Sequence, residues 1–234
     1  MKAVILAGGK GTRLKPYTTH FPKPLMPIGD KPILELVIEK LREAEIKQIV
    51  ITTGHMSGMI ESFFGNGKKF GVHITYSAES KPLGTGGPLR LIKDRIREDF
   101  LVMNGDVLTD LDFSDFITFH LENKNTATIA ASTRKVDVDF GLVRLDKKNH
   151  FLSWKEKPVL EYSVSMGIYL FSPVIFHDLP EKESFGIPEL IQHLHKKKQK
   201  IMGYLHRGYW LDIGRPDDYQ KACKDFVGDH DEEK

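Results

Sequence analysis

Glycines 8, 9 and 11 stand just after the apolar run AVILA, and Thr12, Arg13 and Lys23 follow them. Glycine accepts positive φ and lets backbone N–H groups approach an anion, while the threonine, arginine and lysine add side-chain donors. A polyphosphate suits this chemistry; the alternative is a bare strand-to-helix turn with solvated cations. The order GKGT is not that of a P-loop, which needs GK followed by Ser or Thr after a four-residue spacer. Nor is it the dinucleotide fingerprint, because Leu14 stands where the third glycine belongs, which argues against a nicotinamide-dependent enzyme. Asp106 closes the run FLVMNGD. That puts a carboxylate at the carboxyl end of a strand, where open α/β sheets bind ligands. His193 and His195 would point apart on a helix, so with His73 they make no metal set.

Such residues need a scaffold that gathers loops at one edge. Short apolar runs AVILA, QIVITTG, VHITYSA and DFLVMNGD alternate with helical-period segments at 32–44, 56–64, 86–97 and 113–122. The alternation predicts an α/β fold, a mainly parallel mixed sheet with helices on both faces. Beyond residue 126 strands crowd together as TATIAAST, GLVRLD, FLSWKE and SVSMGIYLFS, read as an extension of the same sheet, before helices return at 187–198 and 215–226. One catalytic domain over 1–226 is expected, with a polar tail over 227–234.

Charge and composition narrow the function classes. With 34 basic against 32 acidic residues the net charge is only +2, which gives little support to a nucleic-acid groove. The lone Cys223 rules out an intrachain disulfide. No apolar run approaches the ~18 residues of a membrane span, and the N-terminus lacks a signal-peptide pattern. The expectation is a cytoplasmic protein that uses neither nucleic acid nor membrane.

Five further ordered stretches give the opening segment a context. LAGGKGTRL and PKPLMPIGDKPIL are followed by KPLGTGGPL, VMNGDVL, EKP, MGIYLFS and YWLDIGRPDDY. Together they resemble the sugar-1-phosphate nucleotidyltransferases over nearly the whole chain, and within them most resemble the short mannose-1-phosphate guanylyltransferases. The resemblance implies a Rossmann-like fold and transfer of a nucleotidyl group from an NTP to a sugar 1-phosphate with release of pyrophosphate. It implies a nucleotide site at Leu6, Ala7, Gly8, Gly9, Gly11, Thr12 and Arg13, with Glu79, Leu83 and Gly84 near the base. Arg13 and Lys23 would neutralise the phosphates. Asp106, also catalytic, and Asp212 would meet and hold Mg²⁺. Gly141, Glu156, Lys157 and Gly167 would face the sugar phosphate. A homo-oligomer is compatible with this reading.

The base and sugar follow from finer features. Glu79 offers two acceptor oxygens that match the adjacent N–H donors of guanine, so GTP is expected, and the resemblance implies a mannose- or heptose-type 1-phosphate as the acceptor. A glutamate at this place also resembles uridylyltransferases acting on N-acetylmuramic acid 1-phosphate, so uridylyl or thymidylyl transfer stays open. The guanylyltransferase pattern has Asn-Ala-Gly where this chain has Ser165, Met166 and Gly167. A catalytically silent regulatory subunit on the same fold is the reading from another class, although such paralogues usually lose the site residues present here.

Overall fold

The computed structural model describes residues 1–228. In its first half β1 (Lys2–Ala7) is followed by a short ladder of β2 (Pro27–Ile28) and β3 (Lys31–Pro32), then α1 (Ile33–Glu43), β4 (Gln48–Thr53), α2 (Ser57–Phe64), β5 (His73–Ala78), α3 (Pro88–Ile92), β6 (Phe100–Asn104), β7 (Val107–Thr109) and α4 (Phe113–Glu122). The second half holds β8 (Ala127–Asp137), β9 (Leu142–Leu145), β10 (Phe151–Lys155), β11 (Val159–Phe171), α5 (Ile187–Lys196), β12 (Ile201–His206), β13 (Trp210–Asp212) and α6 (Pro216–Gly228). Local sequence explains several boundaries. Asp112 caps α4 by accepting from the N–H groups of Ser114 and Asp115 at 2.8 and 3.1 Å, a contribution of about 1 kcal/mol. Pro188 sits in the first turn of α5, where its missing N–H costs nothing.

Seven strands form one sheet in the order β12-β8-β11-β6-β1-β4-β5. β4, β5 and β6 run parallel to β1 or its neighbour, and only β11 runs against the strands beside it. The expected mixed, mainly parallel sheet is therefore observed, with its first strand near the centre. Strand alternation sends Ala3 and Ile5 to one face and Val4 to the other. On the first face Leu34, Val37, Ile38 and Leu41 of α1 pack with Phe113 and Phe116 of α4. On the second, Leu89 and Ile92 of α3 pack with Ile187, Leu190 and Leu194 of α5. Each fully buried side chain of this kind contributes about 1.5–3 kcal/mol.

Four sequence expectations change. The helix expected over 86–97 ends at Ile92 and continues as a 3-10 turn over Lys93–Arg95. β9 and β10 pair only with each other and form a separate hairpin rather than extending the sheet. β12, with the mixed pattern IMGYLH, and the three-residue strands β7 and β13 were not expected at all. The last helix passes the boundary expected at 226, and 229–234 of the polar tail lie outside the described residues. Among the described residues no helix is long and apolar enough to cross a membrane.

Candidate active site

Four parallel strands end at the same edge, and each delivers one part of a cavity of about 690 Å³. β1 leads into Gly8 and the glycine loop, β4 into Gly54, β5 into Glu79 and β6 into Asp106. The register sets Leu6 of β1 beside Asn104 of β6, and the Gly105 N–H donates to the Leu6 carbonyl at 3.0 Å. The walls include Leu6, Ala7, Gly8, Gly9, Gly11, Thr12, Arg13, Lys23, Glu79, Gly84, Asp106 and Asp212. The sequence had assigned these to the nucleotide, the metal or the reacting phosphates.

Two of the loop glycines have different physical reasons. Gly11 has φ 60°, a left-handed conformation that starts the 3-10 turn carrying Arg13, while buried Leu14 anchors that turn in the protein. An added Cβ at Gly8 would strike Glu79 Oε1, so this glycine makes room for the carboxylate. Glu79 Oε2 accepts the Leu83 N–H at 2.9 Å. One of the two oxygens expected to read a base is thus already engaged within the protein. Burial pushes the Glu79 carboxyl above its ordinary range, and the Leu83 N–H opposes that shift. Leu83 does not line the cavity; its carbonyl accepts from Phe185 N–H at 3.0 Å, so both of its backbone groups are used internally.

Lys23, flanked by Pro22 and Pro24, is 9% exposed and ion-pairs with Asp106 Oδ2. Asp212 reaches the same place because β13 pairs antiparallel with β7, setting Asp212 opposite Val107. The Ile213 N–H donates to the Asp106 carbonyl at 3.0 Å, locking the two segments together. Burial raises the Asp212 carboxyl above its usual range, the Asp106 charge raises it further, and Lys23 and Arg13 pull it back. Asp106 Oδ1 is buried with no hydrogen-bond partner. Two mutually repelling carboxylates with a spare oxygen fit a hard cation such as Mg²⁺, which takes one or two protein carboxylates and fills the rest of its shell with water and phosphate. No group of three His, Cys, Asp or Glu side chains suited to a metal occurs among the described residues.

The C-terminal helix braces this arrangement. Tyr219 of α6 donates its hydroxyl to the Pro27 carbonyl at 2.6 Å, and its ring meets that of Tyr17 with centroids 5.6 Å apart. The loop between β1 and β2, which holds Arg13 and Lys23, is therefore fastened to the same helix that follows Asp212.

Other predicted positions lie elsewhere. Gly141, Glu156, Lys157 and Gly167 are not walls of the cavity. Gly141 packs under the Trp154 ring, whose Nε1 donates to Glu156 Oε2 at 2.9 Å, and Lys157 sits in a left-handed backbone position with φ 36°. Gly167 has φ 75°, and a Cβ there would meet the Asn104 amide nitrogen at 2.5 Å. Its lack of a side chain is thus needed by Asn104, itself a cavity wall that the sequence reading passed over. Lys10, His55, Ser80, Lys81 and Thr85 also line the cavity and were missed. Lys10, Lys81, Thr85 and Asn104 lie inside the quoted motifs, and that was the available signal.

With this geometry in view, the family model described as nucleotidyl transferase matches residues 2–227. The chain belongs to that family. It is 34% identical, over 96% of its own length and 63% of the relative's, to a UTP–glucose-1-phosphate uridylyltransferase of Synechocystis. It is 33% identical to a D-glycero-alpha-D-manno-heptose 1-phosphate guanylyltransferase of Aneurinibacillus thermoaerophilus, over 97% of this chain and 98% of that one. The nucleotidyl transferase thus spans under two thirds of one relative and nearly all of the other. Among solved structures, HddC from Yersinia pseudotuberculosis complexed with GMP-PN superposes with a TM-score of 0.75 at 29% identity, covering 96% of this chain and 99% of that one.

Proposed function

We propose that this nucleotidyl transferase joins an NTP to a sugar 1-phosphate, giving an NDP-sugar and pyrophosphate. The observation that carries the reading is the convergence of Asp106, Asp212, Lys23 and Arg13 in the lining of one glycine-walled cavity. An oxygen of the sugar phosphate attacks the α-phosphorus in line, while the bond from that phosphorus to the bridging oxygen breaks and pyrophosphate departs with the electron pair. The nucleophile is already an anion, so the protein needs no general base; positioning and charge neutralisation supply the catalysis. Arg13 presents a planar fork to the triphosphate, and Lys23, held by its flanking prolines, a point charge to the reacting centre. Lys157, which lies outside the cavity walls, would neutralise the incoming sugar phosphate, a role implied by the family resemblance rather than by its position. Asp106 and Asp212 would hold Mg²⁺, which when bound supplies positive charge to the phosphate oxygens.

For the base, guanine with a mannose- or heptose-type acceptor is the first reading, supported by the near full-length likeness to the heptose-1-phosphate guanylyltransferase. A second reading rests on Glu79. With Oε2 bound to Leu83, one free oxygen suffices for the single imide N–H of uracil or thymine. Pyrophosphate release across a matrix of NTPs and sugar 1-phosphates, with and without Mg²⁺, tests both. Turnover at least tenfold better with UTP or dTTP than with GTP, about 1.4 kcal/mol in transition-state terms, would select the second reading. No turnover with any pair would leave a silent nucleotide-sugar-binding subunit.

A further inference from the structure

The turn over 81–87, KPLGTGG, joins β5 to α3 and supplies one wall of the cavity through Lys81, Pro82, Gly84 and Thr85. The segment behind it, 178–186, leads into α5 and lines no part of the cavity. Phe185 of that segment is buried and is tied to the turn by three backbone hydrogen bonds. Its N–H donates to the Leu83 carbonyl at 3.0 Å, and its carbonyl accepts from the N–H groups of Gly86 and Gly87 at 2.9 and 3.2 Å. Two residues on, the Ile187 N–H donates to Thr85 Oγ1 at 3.0 Å. Thr85 is a cavity wall, so this contact runs from the rear segment to the ligand side of the turn.

The glycines of the turn make room for protein behind it. A Cβ at Gly86 would lie 2.6 Å from both Cδ2 and Cε2 of the Phe185 ring, and one at Gly87 would lie 2.3 Å from the Leu83 carbonyl oxygen and 3.0 Å from that of Glu183. Neither glycine is a cavity wall. Arg90 of α3 fixes the rear segment in turn. Its Nη2 donates to the carbonyls of Pro180 and Lys182, and its guanidinium lies 5.8 Å from the Phe185 ring centroid. At the exposed rim Lys81 pairs with Glu183 at 2.8 Å. Among the described residues the N–H groups of Leu83, Gly86 and Gly87 are spent on protein acceptors, whereas those of Gly84 and Thr85 meet none. The donors left for a ligand are therefore held in place by contacts made on the far side of the turn.

We infer that Phe185 is a positioning residue for nucleotide recognition, acting through the backbone of the 81–87 turn without touching the ligand. The inference rests on the cavity's being the NTP site. Hydrogen bonds tell bases apart only when their donors are held within about 0.5 Å of the productive place, and packing around the contacting groups supplies that precision. Here the packing is the ring edge set against Gly86, with Arg90 holding ring and segment. Phe185→Val removes the two ring atoms nearest Gly86 and keeps an apolar side chain and the backbone donors and acceptor. The turn can then move back into the vacated space, and the Gly84 and Thr85 donors lose their register with the base. Lys23, Asp106 and Asp212 stand on other segments, so the chemistry at the α-phosphorus stays intact. Gly86→Ala disturbs the same contact from the opposite side, and beside Phe185→Val its methyl group occupies space that the ring has left.

Calorimetric titration of the full chain with GTP, UTP, dTTP and ATP in Mg²⁺, without sugar phosphate so that no transfer occurs, tests the inference. Phe185→Val should weaken the best-bound NTP about tenfold, the worth of roughly one hydrogen bond, and narrow its lead over the next base about threefold or more. In steady-state assays kcat should stay within about twofold and KM for the sugar 1-phosphate should not move. Gly86→Ala should show the same loss of NTP affinity, and the double variant should bind the best NTP more tightly than either single one. In the wild type, added NTP should lower deuterium uptake over 178–186, which gives a reading even if the variants fail to fold. A wild type that binds none of these nucleotides removes the NTP site and the inference with it. Where the wild type binds, unchanged affinity and base preference in Phe185→Val overturn the inference alone. Additive losses in the double variant, or uptake over 178–186 that ignores the NTP, overturn it as well.

Discussion

Replacing Gly9 by alanine separates what the fold needs from what a ligand needs. No protein atom lies within 4 Å of the place a Cβ would take at Gly9, and the residue is outside the left-handed region. Alanine is therefore tolerated by the folded chain, and by restricting the unfolded chain it should stabilise by about 0.4–1 kcal/mol. In a domain of this size that raises Tm by roughly 1–4 °C. The same methyl group stands on the wall of the cavity proposed for the nucleotide, where it would hold a phosphate away from the loop N–H groups. Losing one hydrogen bond to a charged oxygen costs about 1.5–3 kcal/mol, so kcat/KM for the NTP should fall roughly 10- to 150-fold. Gly8→Ala is the comparison. Its Cβ displaces the Glu79 carboxylate from the Leu83 N–H, so stability and activity should decline together. Scanning calorimetry and steady-state pyrophosphate release read the two effects separately. A Gly9→Ala enzyme with unchanged kcat/KM for the NTP, or with a lowered Tm, would refute the reasoning.

Gly84→Ala should lower Tm by roughly 2–12 °C, because a left-handed residue costs about 1–3 kcal/mol and its Cβ would meet the Phe185 carbonyl oxygen at 2.5 Å; an unchanged melt contradicts the steric account. Asp106→Asn and Asp212→Asn should each cost at least about 100-fold in kcat at low Mg²⁺ with the fold retained by circular dichroism, and near-normal turnover in both would remove the metal assignment. Lys157→Ala should raise KM for the sugar phosphate about tenfold or more while leaving NTP binding in place, and equal loss of NTP affinity would put this lysine on the other substrate. His120 is buried against Thr128, and burial holds its pKa below the ordinary 6.5 despite the nearby Asp99 charge. Its stabilising neutral form is fully present above about pH 6.5 and lost as pH falls toward the folded value, so His120→Asn should lose less Tm between pH 7.5 and 5.5 than the wild type.

Local pattern carried the first half of the chain, because β1, β4, β5 and β6 are short buried runs ending in glycine or acidic residues at one edge. The same pattern made Asp106 legible as a strand-end carboxylate. Asp212 became legible only through family resemblance, since its place depends on a three-residue pairing between distant segments that no periodicity announces. β12 was missed because Gly203 interrupts it and its side chains alternate between half-buried and exposed rather than apolar and polar. The hairpin was read as sheet because each of its strands looks ordinary alone; only the register shows that it pairs with nothing else. Glu79 was read as a free pair of acceptors because sequence gives the donors a carboxylate could meet but not the ones it has already met.

The pairing of β7 with β13 also orders events in time. Residues 2–206 contain every strand of the seven-stranded sheet, yet the second carboxylate arrives only when Trp210–Asp212 docks beside Val107–Thr109. During synthesis every strand of the sheet emerges before the segment that carries Asp212, so the two carboxylates proposed to hold the metal can meet only after β13 is made. In the finished protein the reverse holds. Release of β13 and α6 would disarm the enzyme while leaving its sheet standing, so loss of catalysis on heating or in denaturant should precede loss of the parallel core.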